Sequence, residues 1–522
     1  MLNSRRTGLD RILLPGAMLI AALAHITALG NHLTADSWVF VYPHSFVETF
    51  RYFFTSIIPL EDEVYWLRPL PMFLFWLENV VHSGTEWLPH LTNILFHVLN
   101  VFLLWRVVSF MVAASAGVAL DGAGRKKENG GGLAAFAACL VYGIHPLTVG
   151  AVDWVAARFD VVSVTFGLAG LLFWLRWDAD TRDRRSLLFG TVMLAGSLLS
   201  KEQGITFFMA AAFLSLLRVA GGGKERMRYL PGVIIPAASA LILFFYRLII
   251  FGGIGGYVTA RNGISIAPPV NYFLALFFPY PNAMPGWSFS WTFWAVCAVM
   301  AGLAFLLVSG EQRTQYRRVR RDYALMLLAL LALGVGTTAP HPGLTLDKVL
   351  GHAESRFAFV AITALAMLVG LLVSTIRSRR AYLAAVAVLA VWGVASAWRT
   401  TVQVQAWRSA GETAHSILTQ TMRLLPDPPP ESTIILLDIP RDNEQYAYIY
   451  GIGLDYALKL AYDRTDLRVL RYPTREDLQH ANPDRDAVVR FVSSSGQMER
   501  MHGTRVKKTQ QPGTAAGVQT VR

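Results

Sequence analysis

The 522 residues are 54% apolar and only 16% charged, a balance that excludes an ordinary soluble globular chain. The net charge of +12 raises the question of a nucleic-acid partner. Its distribution excludes one, because the basic residues cluster in alternate short loops between apolar runs long enough to cross a hydrocarbon core of about 30 Å. The chain is therefore a polytopic membrane protein with membrane lipids around it. Both cysteines, Cys139 and Cys297, lie within apolar runs, which rules out a disulfide framework.

The first apolar run, at 12–33, follows Arg5, Arg6 and Arg11 without a convincing cleavage site, and reads as a retained span leading outward. A loop of over fifty residues follows, with Asp36, Arg51, Glu61, Asp62, Glu63 and Arg68. Its segments 46–58 and 69–82 have the pattern of amphipathic helices lying in the interface. The second span, at 88–108, returns inward to Arg125, Lys126 and Lys127. A third, at 131–146, leads out, and a fourth, at 159–177, comes back to Arg176, Arg182, Arg184 and Arg185. Residues 186–217 form two shorter apolar pieces joined by Ser200-Lys201-Glu202-Gln203-Gly204. Length leaves these open between two spans and a re-entrant hairpin. Arg185 and Arg218 put both outer ends inside, and so Lys201 and Glu202 outside. Spans at 229–251, 289–309, 322–339, 358–376 and 382–399 bring the total to about eleven. The charge alternation predicts a cytoplasmic N-terminus in a cell (inner) membrane and everything after Arg399 outside.

The C-terminal part changes texture. Ala410, Ala414, Ile417, Leu418, Met422 and Leu425 recur at helical spacing, so 401–430 reads as an amphipathic helix and linker that Pro428, Pro429 and Pro430 end. Strands at 433–439, 467–472 and 487–492, with a helix at 446–462, make a small α/β unit over 431–493. Gly451-x-Gly453 falls inside that helix, which argues against a phosphate loop. The tail at 494–522 is polar, basic and expected to be disordered. The fold class is thus an all-α polytopic membrane domain over 1–400 with a small external α/β domain.

The stretch His145–Asp160 packs His145, Asp153, Trp154, Arg158 and Asp160 into one short reversal between the third and fourth spans. Pro146 can start a helix there. On it Val149, Val152 and Ala156 face the protein while Asp153, Arg158 and Asp160 point away, either simply solvated or meeting a substrate. In the second span His90, Asn93, His97 and Asn100 form one polar stripe. It reads as interhelical hydrogen bonding or as cavity lining. His90 and His97 stand about 10 Å apart along the helix, too far to share one ion; no metal or cofactor is expected. Asp36, Asp153, Asp160, Glu202 and Glu354 all fall on the external side, together with Arg68, Arg158, Lys201, Arg247 and Arg356. A carboxylate can deprotonate an incoming hydroxyl and arginines can grip a phosphate. Glycosyl transfer from a lipid phosphate needs both.

These motifs resemble the membrane C-fold (GT-C) glycosyltransferase superfamily over roughly residues 12–400, in particular the branch of protein O-mannosyltransferases and related multi-span proteins with tetratricopeptide repeats. That branch carries His-Pro-x-x-x-Glu-x-Val-x-Trp-x-x-x-Arg-x-Asp in its second external loop. His145, Pro146, Val152, Trp154, Arg158 and Asp160 match it, and Gly150 stands where the family has Glu. Arg68-Pro69-Leu70, the stripe His90-x-x-Asn93-x-x-x-His97-x-x-Asn100, Lys201-Glu202 and Glu354-x-Arg356-Phe357 fit as well. No repeat domain follows; the α/β unit stands in its place. The resemblance implies sugar transfer from a polyprenyl-phosphate-linked donor to a protein or glycan acceptor on the external face. Asp36, the acid after the first span, is the implied base. Asp153, Asp160 and Glu202 are further catalytic candidates. Arg68, His90, Asn93, His97, His145, Arg158, Lys201, Arg247, Glu354 and Arg356 are the binding candidates. A lipid-linked sugar flippase or other transporter, with 186–217 as broken helices, is the alternative. A relative without catalysis, given Gly150, is a third reading.

Overall fold

The computed structural model describes residues 10–56, 66–82, 85–116, 130–221, 226–251, 264–277, 315–341, 345–350, 353–376, 378–443, 446–450, 453–471, 473, 482 and 485–501. In lipid each backbone polar group needs a partner within its own segment, so apolar runs become helices. These are α1 (Asp10–His25), α2 (Ser37–Val41), α3 (Phe46–Arg51), α4 (Pro69–His82), α5 (Trp87–Ala116), α6 (Gly130–Gly143), α7 (Val149–Val152), α8 (Arg158–Ala179) and α9 (Arg184–Ser200). There follow α10 (Ile205–Ala220), α11 (Pro231–Phe251), α12 (Ala267–Phe277), α13 (Gln315–Gly336), α14 (Leu346–Leu350), α15 (Phe359–Val373), α16 (Arg379–Leu424) and α17 (Leu454–Ala461).

A helix stands at each expected span except that at 289–309, which lies outside the described residues. By length and apolarity seven of the described helices can cross a membrane, or eight if α6 and the segment Pro146–Val152, bent 57° from it, form one broken span. The chain is thus a multi-pass membrane protein. Its interior is a continuous apolar core that includes Trp174, Trp177, Tyr142 and Tyr323, while Ile234, Leu241, Ile242 and Ile249 of α11 face outward at 54–80% exposure, as a lipid-facing helix requires. The pieces at 186–217 are the two arms of a helical hairpin. Ser163 of α8 and Ser197 of α9 exchange hydroxyl-to-carbonyl bonds of 3.0 and 2.8 Å, which seats that hairpin on the bundle. At the far end Arg218 binds Asp178 at 2.8 Å and Asp322 at 2.6 Å, joining α10, α8 and α13.

The last span and the expected amphipathic helix are one element. α16 runs 46 residues, about 70 Å, because Ser378 caps its start and no proline interrupts it before Leu424. Its far half carries the chain to a four-stranded sheet of β1 (Thr433–Leu437), β2 (Arg468–Leu470), β3 (Ala487–Val492) and β4 (Gln497–Met501), in the order β2-β1-β3-β4. β1 is parallel to β2 and β3, and β4 is antiparallel to β3. Since β4 lies beyond Ser494, the expectation of a disordered tail from that point is corrected. Residues 495 and 496 turn the chain back onto β3, both amides bonding to the Val492 carbonyl.

The helix expected over 446–462 begins only at Leu454. Gly453 precedes it with φ +101°, and a Cβ there would lie 2.4 Å from the Ala35 carbonyl oxygen. That glycine is required by close backbone approach. The α/β unit also shares its core. Ile434, Leu436, Tyr450 and Leu454 pack in one cluster with Trp38, Phe40, Trp154 and Trp407 from the helical part. The sheet side of the bundle and the α/β unit are therefore two walls of one interior.

Candidate active site

The stretch from His145 to Asp160 is wholly buried, which corrects the expectation that its charges point away from the protein. Each charge meets a partner supplied by another element. Arg158 donates to Asn93 Oδ1 at 2.9 Å, to Glu78 Oε2 at 2.8 Å and to the Pro89 carbonyl at 2.9 Å, with its guanidinium 3.8 Å from the centre of the Phe75 ring. These partners lie on α4 and α5, so Arg158 acts as a bolt between those helices and the motif stretch. Asn93 completes the joint by donating 3.2 Å bonds to the carbonyls of Val152 and Trp154. Asp153 lies 2.8 Å from His25 Nδ1, both side chains fully enclosed. Burial pushes the Asp153 carboxyl up, and His25 opposes that shift. His145 accepts the Leu147 amide at Nδ1, so the proton sits on Nε2, which donates to the Leu276 carbonyl at 3.0 Å.

The polar stripe of α5 serves largely as interhelical glue. Besides Asn93, His97 lies 3.1 Å from the Gly143 carbonyl and Asn100 donates to the Val161 carbonyl at 3.1 Å. His90 lines a small pocket with Asn31, His32, Ser37, Asp153 and Trp407. Gly150, at the family's Glu position, donates its amide to Ser355 Oγ at 3.2 Å and so touches the Glu354–Arg356 turn.

Four cations meet three carboxylates on the sheet side. Arg68 donates twice to Glu202 Oε2, at 3.1 and 2.7 Å, and Arg247 donates to Glu202 Oε1 at 3.0 Å. Lys201 pairs with Asp160 and lies 4.8 Å from the centre of the Phe357 ring. Arg356 covers the same ring at 4.8 Å and the Trp154 ring at 4.4 Å, with Glu354 3.8 Å away. Tyr448 of the α/β unit donates to Glu354 Oε1, and Tyr272 donates to the Glu354 carbonyl at 2.7 Å. Burial lowers the Lys201 ammonium to about 8, with Asp160 opposing and Arg68 and Arg356 adding to the shift. His341, 4.6 Å from the Phe357 ring, is lowered by burial to about 4 and is neutral. A group with four cations, three carboxylates and aromatic walls can receive one further anion.

Asp36 is half-buried at the start of α2, where its side chain does not cap the helix. Its neighbour Ser37 takes the Ala156 amide at 3.3 Å, joining that turn to the motif stretch. Sequence reasoning missed His25, Glu78, Tyr272, His341 and Tyr448. His25 and Glu78 carried a signal, because an ionisable residue within an apolar run is costly unless paired. Tyr448 carried none, since its role depends on the α/β unit folding back over Glu354.

No family model matches the chain. The protein O-mannosyl-transferase Tmtc3 of Drosophila melanogaster is 33% identical over 150 residues, 27% of this chain; the chain spans 16% of that relative's length. The crystal structure of ArnT from Cupriavidus metallidurans bound to undecaprenyl phosphate superposes with a TM-score of 0.51 at 13% identity, covering 94% of both chains. The Archaeoglobus fulgidus oligosaccharyltransferase follows at a TM-score of 0.47 and 14% identity, over 87% of this chain and 62% of that one. At such identity the ArnT likeness speaks for the fold. The chain has the architecture of the membrane C-fold glycosyltransferases with a small C-terminal sheet, as its motifs led one to expect.

Proposed function

We propose that this protein is an integral-membrane glycosyltransferase that takes a sugar from a polyprenyl-phosphate-linked donor and passes it to a hydroxyl of a protein or glycan. The supporting observation is the gathering of Arg68, Lys201, Arg247 and Arg356 around Glu202, Asp160 and Glu354 at one end of the helices. The ArnT structure holds undecaprenyl phosphate and Tmtc3 is described as an O-mannosyl-transferase, and both agree with that reading. The charge alternation along the chain supports an external position for this end.

In this reading the acceptor oxygen attacks the anomeric carbon while the bond from that carbon to the phosphate oxygen breaks. The departing polyprenyl phosphate keeps the electron pair, and its growing charge is met by Arg68, Arg247, Lys201 and Arg356. Asp36 takes the acceptor proton. Asp153 is engaged by His25 and Asp160 by Lys201, and both oxygens of Glu202 are held by arginines. Glu202, Asp160 and Glu354 then position the cations, while Arg158, Asn93, His97 and His145 hold the frame.

The test is sugar transfer from a panel of prenyl-phosphate sugars by purified protein, with Asp36→Asn beside the wild type. Loss of the base lowers the rate by about 10²–10⁴-fold with protein abundance unchanged. A wild type that transfers nothing yet moves lipid-linked sugar across a vesicle bilayer refutes the enzyme and establishes the transporter.

A further inference from the structure

His32, Glu86 and His415 come from three separate elements: the turn after α1, the residue ahead of α5, and the part of α16 that carries the sheet. His32 Nδ1 lies 3.0 Å from Glu86 Oε2. The His32 and His415 rings stack with centroids 4.0 Å apart. One donor atom from each of the three residues lies within 4.8 Å of the other two. His32 and Glu86 are half-buried and His415 is exposed.

The backbone builds this meeting. Gly411 sits one turn before His415, and a Cβ there would lie 2.9 Å from the His32 carbonyl oxygen and 3.1 Å from its nitrogen. The bare glycine thus lets the helix rest directly on the main chain of His32. The carboxylate is set as well, because the Leu33 amide donates to Glu86 Oε2 at 3.0 Å.

We propose that His32, Glu86 and His415 form a binding site for one divalent transition-metal ion, Zn²⁺ foremost, with a fourth position open to water. Two imidazoles and a carboxylate are the donor set such an ion takes from protein, at about 2.0–2.2 Å. A tetrahedral ion at those lengths separates its ligands by roughly 3.4 Å, so the exposed His415 ring must leave its stack on His32 and rotate to aim a nitrogen at the ion. The ion ties α16 to the turn that runs from His32 to Asp36. It also stiffens one wall of the pocket that His32 shares with Asp153 and His90. Its role is to fix the position of that turn; the phosphate-facing cations lie elsewhere. The proposal stands whether or not the chain transfers sugar.

The experiment uses full-length purified protein in detergent, affinity tag removed, stripped with a chelator and titrated with Co²⁺ and Zn²⁺. The expected result is one equivalent of either ion, visible ligand-field bands with Co²⁺, and a Zn²⁺-dependent rise in the unfolding midpoint. His415→Ala, a change at an exposed position, keeps the metal-free midpoint. It loses the bands, weakens binding by at least about tenfold, and shows no rise with Zn²⁺. His32→Ala behaves alike. A wild type that binds no stoichiometric ion overturns the proposal, as do variants that bind as tightly as the wild type.

Discussion

Arg247→Gln separates a ligand-holding role from a structural one. Arg247 is 12% exposed and donates to Glu202 Oε1 at 3.0 Å, while Glu202 keeps its contacts of 3.1 and 2.7 Å from Arg68. Removing Arg247 therefore leaves no carboxylate stranded, and the unfolding midpoint should change little. A charge-assisted hydrogen bond to a phosphate is worth about 1.5–3 kcal/mol, which corresponds to roughly 10–100-fold in kcat/KM for the donor. The comparison is Arg158→Lys. Arg158 is fully buried with three bonds, and a lysine reaches few of those partners, so breaking the pair with Glu78 costs about 3–5 kcal/mol. The assay is donor-dependent transfer kinetics alongside thermal unfolding in detergent. Arg247→Gln should lose donor affinity at constant stability, and Arg158→Lys should lose stability. An unchanged donor kcat/KM in Arg247→Gln, or a loss that merely tracks its melting, refutes the phosphate-holding assignment.

The Lys201 ammonium, held down at about 8 by burial, loses its proton as pH rises through that value, so donor affinity should fall above pH 8. The folded value lies below the ordinary one of about 10.4. Between the two the unfolded chain binds more protons, and stability therefore rises with pH in that window while affinity falls; Lys201→Arg should keep affinity flat across it, as measured by donor titration at pH 7 and 9.5. Gly453→Ala places a Cβ 2.4 Å from the Ala35 carbonyl at φ +101°, so it should lower the unfolding midpoint by the equivalent of at least about 1–2 kcal/mol and displace the turn carrying Asp36, with transfer activity reduced in parallel. Reporter fusions at Lys126 and after residue 430 should report opposite sides of the membrane; a common side for both refutes the charge-derived topology.

The membrane architecture was legible because its cause is local. An apolar run of about twenty residues in lipid has one way to satisfy its backbone, and α5, α8, α11 and α15 stand where their runs predicted. Lys201-Glu202 and Arg68 were legible as a charged cluster at span ends. Their pairing was not: Arg68 meets Glu202 across 134 positions, and Lys201 meets Asp160 across 41. The reading failed where an element's surroundings decide its role. Arg158 and Asp153 looked like surface charges on a short helix, yet Glu78, Asn93 and His25 arrive from three other segments and enclose them. The helix over 446–462 failed at its start because Gly453 answers to Ala35, a residue more than four hundred positions away.

The sequence by itself determined the solvent of this protein, the order of its apolar elements, and the chemistry its polar motifs could offer. Hydropathy, charge alternation and residue type are properties of short stretches, and lipid enforces them without reference to the rest of the chain. Tertiary structure alone decided which charges lock elements together and which gather into one cluster of cations and carboxylates. Arg158 is enclosed by partners from two other helices, whereas Arg68, Arg247, Lys201 and Arg356 converge on neighbouring carboxylates. It also decided that the C-terminal sheet completes the helical domain's interior, because Ile434, Leu436 and Tyr450 pack in one apolar cluster with Trp38, Trp154 and Trp407.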